Sequence, residues 1–292
     1  MQGLKFKLYD DVKAFHAAVY DVLLENEIQN QIMVGNLMRG YEGRDTFDWR
    51  DPRKWMMGAV CKGDATALVA MMTPPFNITL YATGNNWDND TISCLINGLE
   101  AAGISIPGVT TEKSLAEAFA QAYCSAKTLR PVLNMGQTIF ELKDINPNIP
   151  KIGTFRPATE KDIPFLPYWL EDFGRTATGE YAPPSTDVIN YMYRINSGGL
   201  YVLEDKGMPV SIAAIIRKMV RVATVGCVYT PPYFRGRGYA SSLVSRISQI
   251  ILDSGYPLCS LYTDLTNPTS NKIYRNIGYM PVLESVAIDF EE

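Results

Sequence analysis

Pro231 and Pro232 follow an apolar run, Val220 to Tyr229, and precede a glycine-rich turn that opens a long helical pattern. Proline offers no N–H to a ladder, so a strand must end there. From Arg237 to Asp253 the residues Ala240, Leu243, Val244, Ile247, Ile250 and Ile251 share one helical face, and Gly255 closes the run. Another strand, Leu258 to Thr263, comes next. Upstream, Leu200 to Glu204 and Val210 to Ile216 flank the tight turn Asp205-Lys206-Gly207. Downstream, a helix from Asn267 to Asn276 stops at Gly278 and a last strand runs from Val282 to Ile288. Three hairpin-like strands, a helix, a strand, a helix and a strand predict an α/β domain with a mixed sheet. Ahead of it, a helix starting at Thr159 to Asp162 is broken by Pro164 and Pro167.

The chain has 292 residues, comfortable for two domains. In the first half, Val12, Phe15, Val19, Val22 and Leu23 recur at helical spacing, and Ile28, Ile32 and Leu37 predict a second short helix. Ala65 to Met72 and Asn77 to Thr83 read as strands, with a helix from Thr91 to Ala102 ended by Gly103. Ile104 to Ile106 reads as a short strand, Leu115 to Tyr123 as a helix and Gln137 to Leu142 as the last strand. The polar, proline-bearing stretch from Lys143 to Pro150 is the natural boundary, which predicts domains over residues 1–150 and 151–292.

Composition narrows the chemistry. The 27 basic and 31 acidic residues leave a net charge of −4, which argues against a nucleic-acid or anionic-membrane surface. No window approaches the roughly 18 consecutive apolar residues of a membrane span, and the N-terminus turns acidic before any apolar run, so a cytoplasmic protein is expected. A single histidine, His16, excludes a multi-histidine zinc site and makes a histidine triad a poor fit. Five cysteines, Cys61, Cys94, Cys124, Cys227 and Cys259, are scattered and never spaced as CxxC, which predicts reduced core residues and no metal. Chemistry must then run on tyrosine, carboxylates, backbone and an imported cosubstrate.

Two motifs supply that chemistry. In Arg235-Gly236-Arg237-Gly238-Tyr239-Ala240 the glycines let backbone approach a ligand, the exposed amides of a helix start bind anions, and two arginines add charge. Pyrophosphate is the obvious guest. The second motif, Asn267 through Tyr279, follows the next strand. Together they resemble the GNAT superfamily of acyl-CoA-dependent N-acyltransferases. Arg235, Gly238 and Ala240 match that family's phosphate loop, and Asn267, Ser270, Tyr274, Gly278 and Tyr279 match every position of its second signature. The resemblance covers about residues 152 to 292.

The resemblance implies transfer of an acetyl or other short acyl group from acetyl-CoA, as cosubstrate, to the primary amine of a small molecule or peptide, with no metal. It implies that main-chain groups of Val228, Tyr229 and Thr230 bond the pantetheine arm. Amides from Gly236 to Ser241, including Arg237 and Tyr239, would cradle the pyrophosphate, and Asn267 would hold a pantetheine amide. Tyr274 would protonate the departing thiolate: a thiol of pKa about 8.5 can share the proton of a phenol of pKa about 10 as charge develops. A main-chain N–H near Val228 suits the oxyanion. For the general base the candidates are Glu171, Asp172, Glu180, Asp264 or an ordered water. A GNAT fold that senses acyl-CoA without turnover is the alternative; it has no need of an acid beside sulfur.

The halves share features. Thr73-Pro74-Pro75 echoes Thr230-Pro231-Pro232, and each is followed by a loop, a helix ending in glycine and a strand. The expected fold is therefore a tandem of two GNAT-like domains, each a mixed, mainly antiparallel sheet flanked by helices. Where a phosphate loop would fall, the first half offers Asp88 and Asp90 and no arginine, so it is expected to be a degenerate, non-catalytic copy. Tyr168, Trp169, Phe173, Tyr181, Tyr191 and Tyr193 crowd the segment expected to border the acceptor; most are expected to be core.

Overall fold

A similar succession of elements occurs twice along the chain, with one helix more in the first series among the described residues. A computed structural model describes residues 3–43, 51–177, 192 and 194–292. The first series is β1 (Leu4–Tyr9), α1 (Val12–Glu25), α2 (Gln31–Glu42), β2 (Met56–Lys62), β3 (Ala65–Met72), β4 (Ile78–Ala82), α3 (Asn89–Ala101), β5 (Gly108–Glu112), α4 (Lys113–Lys127) and β6 (Arg130–Leu142). The second is β7 (Thr154–Pro157), α5 (Leu166–Ala177), β8 (Leu200–Asp205), β9 (Met208–Lys218), β10 (Val222–Tyr229), α6 (Tyr239–Asp253), β11 (Leu258–Asp264), α7 (Pro268–Ile277) and β12 (Met280–Glu291).

In the first series β1 to β4 pair antiparallel in order and β4 pairs parallel with β5. The second repeats this: β7 to β10 are antiparallel neighbours and β10 runs parallel to β11. The hairpin turn between β8 and β9 places Lys206 at φ 51° and Gly207 at φ 78°, the left-handed pair that a two-residue hairpin turn needs.

The final strands are exchanged. The end of β12 pairs with β5, Ser285 opposite Glu112 through Asp289 opposite Gly108. In the second sheet the neighbour of β11 is β6, with Ser260 Oγ donating to the Phe140 carbonyl at 2.8 Å. The compact units are accordingly Met1–Gln137 with Leu283–Glu292, and Thr138–Val282. Gly108 is required at the exchange, since a Cβ there would stand 2.4 Å from the Ile288 carbonyl oxygen.

The first unit's core packs Ile78, Leu80 and Val109 against Leu95, Leu99 and Phe119, with Val286 and Ile288 arriving from β12. The second unit's sheet is covered on both faces. Ala213, Ala223, Val225 and Leu261 pack with Leu243, Val244, Ile247 and Tyr274 of α6 and α7. Ile212, Ala214 and Tyr229 pack with Leu166 and Trp169 of α5.

Two expectations change. The chain does not divide at residue 150: the Asn146 amide donates to the Ile277 carbonyl at 2.8 Å, its side chain donates to Asn276 O at 2.9 Å, and Ile145 and Ile149 join the second core. The polar stretch is thus tied into the second unit. The strand expected at Ile104 to Ile106 lies instead at Gly108–Glu112, because Pro107 cannot donate and the β-branched Val-Thr-Thr run beyond it can extend. Strands β1, β2 and β7 were not expected from the sequence, although in β1 Leu4, Phe6 and Leu8 alternate with Lys5 and Lys7.

Deleting Leu283–Glu292 removes the antiparallel partner of β5 and takes Val286 and Ile288 out of the core, each worth roughly 1.5–3 kcal/mol when buried. Hydrogen exchange should then show loss of protection at Val109–Thr111 with Val222–Val225 still protected. Protection retained in β5 would mean that the exchanged strand is dispensable.

Candidate active site

The second unit opens where two parallel strands stop pairing. β10 and β11 pair from Val222 opposite Leu258 to Val225 opposite Leu261. Beyond that point β10 continues to Tyr229 and β11 to Asp264, with no strand pair joining them among the described residues. On its other edge β10 bulges: Gly226 faces Ala214 but Tyr229 faces Ile212, three steps against two. Cys227 sits in the bulge at φ 52°, a left-handed conformation that costs a residue with a Cβ about 1–2 kcal/mol. Val228 lies beside it, outside the regular ladder. The strand end is fixed from both sides. Ser211 Oγ donates to the Tyr229 carbonyl at 3.0 Å and lies 2.8 Å from Thr230 Oγ1, while Arg235 Nε donates to the Thr230 carbonyl at 2.9 Å.

The start of α6 stands next along the chain. Gly236 and Gly238 adopt φ of 77° and 81°, and a Cβ on Gly236 would meet nothing within 4 Å, so conformation rather than space requires glycine. Gly238 is the N-cap and supplies no side-chain acceptor. The first amides of the helix, from Tyr239 to Ser241, lack helical acceptors, and the helix dipole adds positive potential. Arg235 and Arg237 flank them, exposed. Tyr239 is turned inward: its hydroxyl donates to Asp205 Oδ2 at 2.5 Å, a bond that raises its pKa and pins the helix to the β8–β9 turn.

The corresponding place in the first unit is filled by the protein's own groups. Asp88 caps α3, accepting from the Thr91 amide at 2.8 Å and the Thr91 hydroxyl at 2.7 Å, which holds its carboxyl below the usual range. Between β4 and β5, Thr111 Oγ1 donates to the Leu80 carbonyl at 2.6 Å. One anion already sits at the helix start, whereas bonded strand carbonyls are common to both units, since Ser211 and Arg235 bond those of Tyr229 and Thr230.

The second motif has mixed duties. Asn267 is exposed and caps α7, its Oδ1 accepting from the Ser270 amide at 3.0 Å. Asp264 organises the turn before it, accepting from the Thr266 amide and hydroxyl, both at 2.7 Å. Tyr274 is buried in the cluster that includes Tyr239 and against which Val228 and Phe234 pack, its ring 6.0 Å edge-on from Tyr279. Burial pushes its pKa up, and its hydroxyl has no hydrogen-bond partner among the described residues.

Asp172, on α5, accepts from the Tyr229 hydroxyl and pairs with Arg175. Those bonds, the tyrosine's first, hold its carboxyl below the usual range, while burial and the same bond push Tyr229 up to about 12. An ionised, doubly bonded carboxylate is a weak proton acceptor. Glu171 lies partly buried beside it. Trp169 and Phe173 pack into the α5 core and Tyr168 is exposed; Glu180, Tyr181, Tyr191 and Tyr193 lie outside the described residues. The bulge at Cys227, the Ser211 clasp and the Tyr229–Asp172 bond were not anticipated. None leaves a local signal, because each joins residues from different strands or helices.

Residues 203–287 match the family model described as FR47-like protein. No curated protein matches the chain. Among solved structures, a GCN5-related N-acetyltransferase from Sphaerobacter thermophilus is similar with TM-score 0.64 at 16% identity, over 97% of this chain and 94% of that one. A tandem GNAT protein from the clavulanic acid biosynthesis pathway aligns with TM-score 0.58 at 12% identity, over 99% and 98%. A GNAT-family acetyltransferase from Colwellia psychrerythraea gives TM-score 0.56 at 12% identity, over 98% and 99%. The chain has the tandem GNAT fold.

Asn267→Ala should lower stability by about 1 kcal/mol through loss of the cap, read as a lower thermal midpoint. An unchanged midpoint would free Asn267 from its structural duty.

Proposed function

We propose that the protein is an N-acetyltransferase that moves an acetyl group from acetyl-CoA to a primary amine, in the second unit alone. The observation that carries this reading is the uncapped, glycine-led start of α6 beside strands that part after Val225 and Leu261. An extended ligand with a pyrophosphate at one end and an amide-bearing arm at the other fits that pair of features. Acetyl-CoA supplies the activated thioester; this chain's residues hold it and manage charge and protons.

Amides of Gly236 to Ser241 would receive the pyrophosphate, with Arg235 and Arg237 adding charge. Main-chain groups of Val228, Tyr229 and Thr230 would bond the arm, and an N–H in the bulge would face the developing oxyanion. Asn267 already accepts the helix-cap bond at its oxygen, so its two amide N–H donors are the groups best placed to serve the arm. Tyr274 stays protonated across the physiological range and would donate a hydrogen bond to the departing sulfur. Complete transfer to a thiolate of pKa about 8.5 is uphill from a phenol raised above its ordinary value, so the proton shed by the attacking amine completes the balance. Since Asp172 is held below the ordinary carboxylate range and Asp264 organises its own turn, water is the best-supported base.

The carboxylate cap at Asp88 supports the reading of the first unit as non-catalytic. No helix among the described residues is long and apolar enough to cross a membrane.

Calorimetry of acetyl-CoA into the intact chain should give one site, and Asp88→Ala should leave that stoichiometry unchanged. Two sites would overturn the single-site reading. Tyr274→Phe should keep the affinity and lose about a hundredfold or more in kcat. Retained affinity with no transfer to any amine in the unmodified protein would instead favour an acyl-CoA sensor. The rate should rise with pH as the acceptor amine deprotonates, without a break between pH 5 and 7 and without a Tyr274 limb below pH about 10. A break in that acid range abolished by Asp172→Asn would make Asp172 the base.

A further inference from the structure

Arg217 sits on β9 opposite Thr224, and Thr224 sits opposite Ser260 on β11. An irregularity between Thr224 and Val225 sets Arg217 on the face opposite Val225, the side covered by α5 rather than α6. Tyr262, two residues beyond Ser260, shares that face. So does Cys227, which packs against the α5 core and forms the bulge beside Val228. The groups that act on the guanidinium are Tyr262, Cys227 and a second cation, Arg194, and burial is the largest influence, pushing its pKa down. Among the described residues no carboxylate lies against it.

The same unit shows how a guanidinium is ordinarily satisfied there. Arg156 forks onto Asp162 through two bonds of 2.7 Å and onto Glu204 at 2.6 and 2.9 Å. That pairing raises its pKa. Arg217, partly buried like Arg156, has no such anion among the described residues. A guanidinium held partly out of water beside a like charge is stabilised by an anion that reaches both. Its planar fork of donors suits a carboxylate in two-point contact.

We propose that Arg217, with Arg194 beside it, forms an anion subsite that binds a carboxylate carried by the acceptor, on the α5 face of the sheet next to the Cys227 bulge. The acceptor is then an amino-acid-like amine, anchored by its carboxylate so that its amine meets the thioester at the bulge. This rests on the acetyltransferase reading of the same unit. Tyr262, its pKa pushed up to about 12 by burial, keeps its proton and offers the carboxylate a further donor.

The test separates binding from turnover. The twenty L-amino acids, their carboxamides, their N-acetyl products and phosphoethanolamine are titrated into the intact protein by calorimetry, with and without acetyl-CoA. The same amines are then assayed by thiol release. Carboxylates should bind, and their carboxamides should bind about tenfold or more weakly. Arg217→Gln should raise KM for the carboxylate by about tenfold or more with kcat little changed, while acetyl-CoA affinity stays the same. Arg217→Lys should lie between, and Arg194→Gln should weaken the same ligands. Unchanged acetyl-CoA affinity serves as the control for folding of each variant.

Carboxamides that serve as well as carboxylates, or an Arg217→Gln enzyme with unchanged KM, would overturn the proposal while leaving the transferase reading intact. Preference for phosphoethanolamine would overturn it in favour of a phosphate-bearing amine. Arg217-dependent carboxylate binding in a protein that binds no acetyl-CoA would uphold the subsite and sink the transferase reading.

Discussion

The pairing of β10 with β11 ends at Val225 and Leu261, and the features of the second unit's site are arranged around that end. A parallel ladder that continued would spend the backbone groups of Gly226 to Tyr229 on its neighbour. Because it stops, those groups are held by other means. The bulge takes up Cys227, Ser211 clasps the strand end, and Arg235 reaches back to Thr230. Tyr229 then bonds Asp172 across the α5 face, which ties the strand end to a helix from earlier in the chain. An opening in a sheet is stable here because its rim is bonded on both sides.

The two units share this plan and differ in what stands at the start of the helix after the fourth strand. In the second, Gly238 leaves the first amides of α6 without a side-chain acceptor. In the first, Asp88 meets the amides of α3 and Thr111 bonds the carbonyl of Leu80. The difference is electrostatic rather than topological. A helix N-terminus that carries its own carboxylate has less to offer a second anion. One fold therefore presents uncapped helix amides in one unit and a self-satisfied cap in the other.

Legibility in the sequence followed how local each determinant is. The Lys206-Gly207 turn, the proline stop at Pro231-Pro232, the glycines at 236 and 238, and the cap at Asn267 act within a few residues, and each was readable from the chain. Long amphipathic helices such as α6 were readable for the same reason. The strands β2 and β7 were not, since their faces are defined by partners far away in sequence, whereas the alternation of Leu4, Phe6 and Leu8 in β1 was there to be read. The division at residue 150 failed because the polar stretch after Leu142 is bonded to the end of α7, more than a hundred residues on.

From the chain alone came the paired-domain order of elements, the glycine-rich turn between arginines at Arg235 to Ala240, and the acidic residues at the matching turn in the first half. Local conformational preference and charge are properties of neighbouring residues, so no folding was needed to see them. The exchange of β6 and β12, the bulge at Cys227, the capture of Asp172 by Tyr229, and an arginine with no acid against it among the described residues of the α5 face came only with the fold. Each depends on which strands and helices meet, and that choice is made by burial of whole faces rather than by any short stretch of sequence.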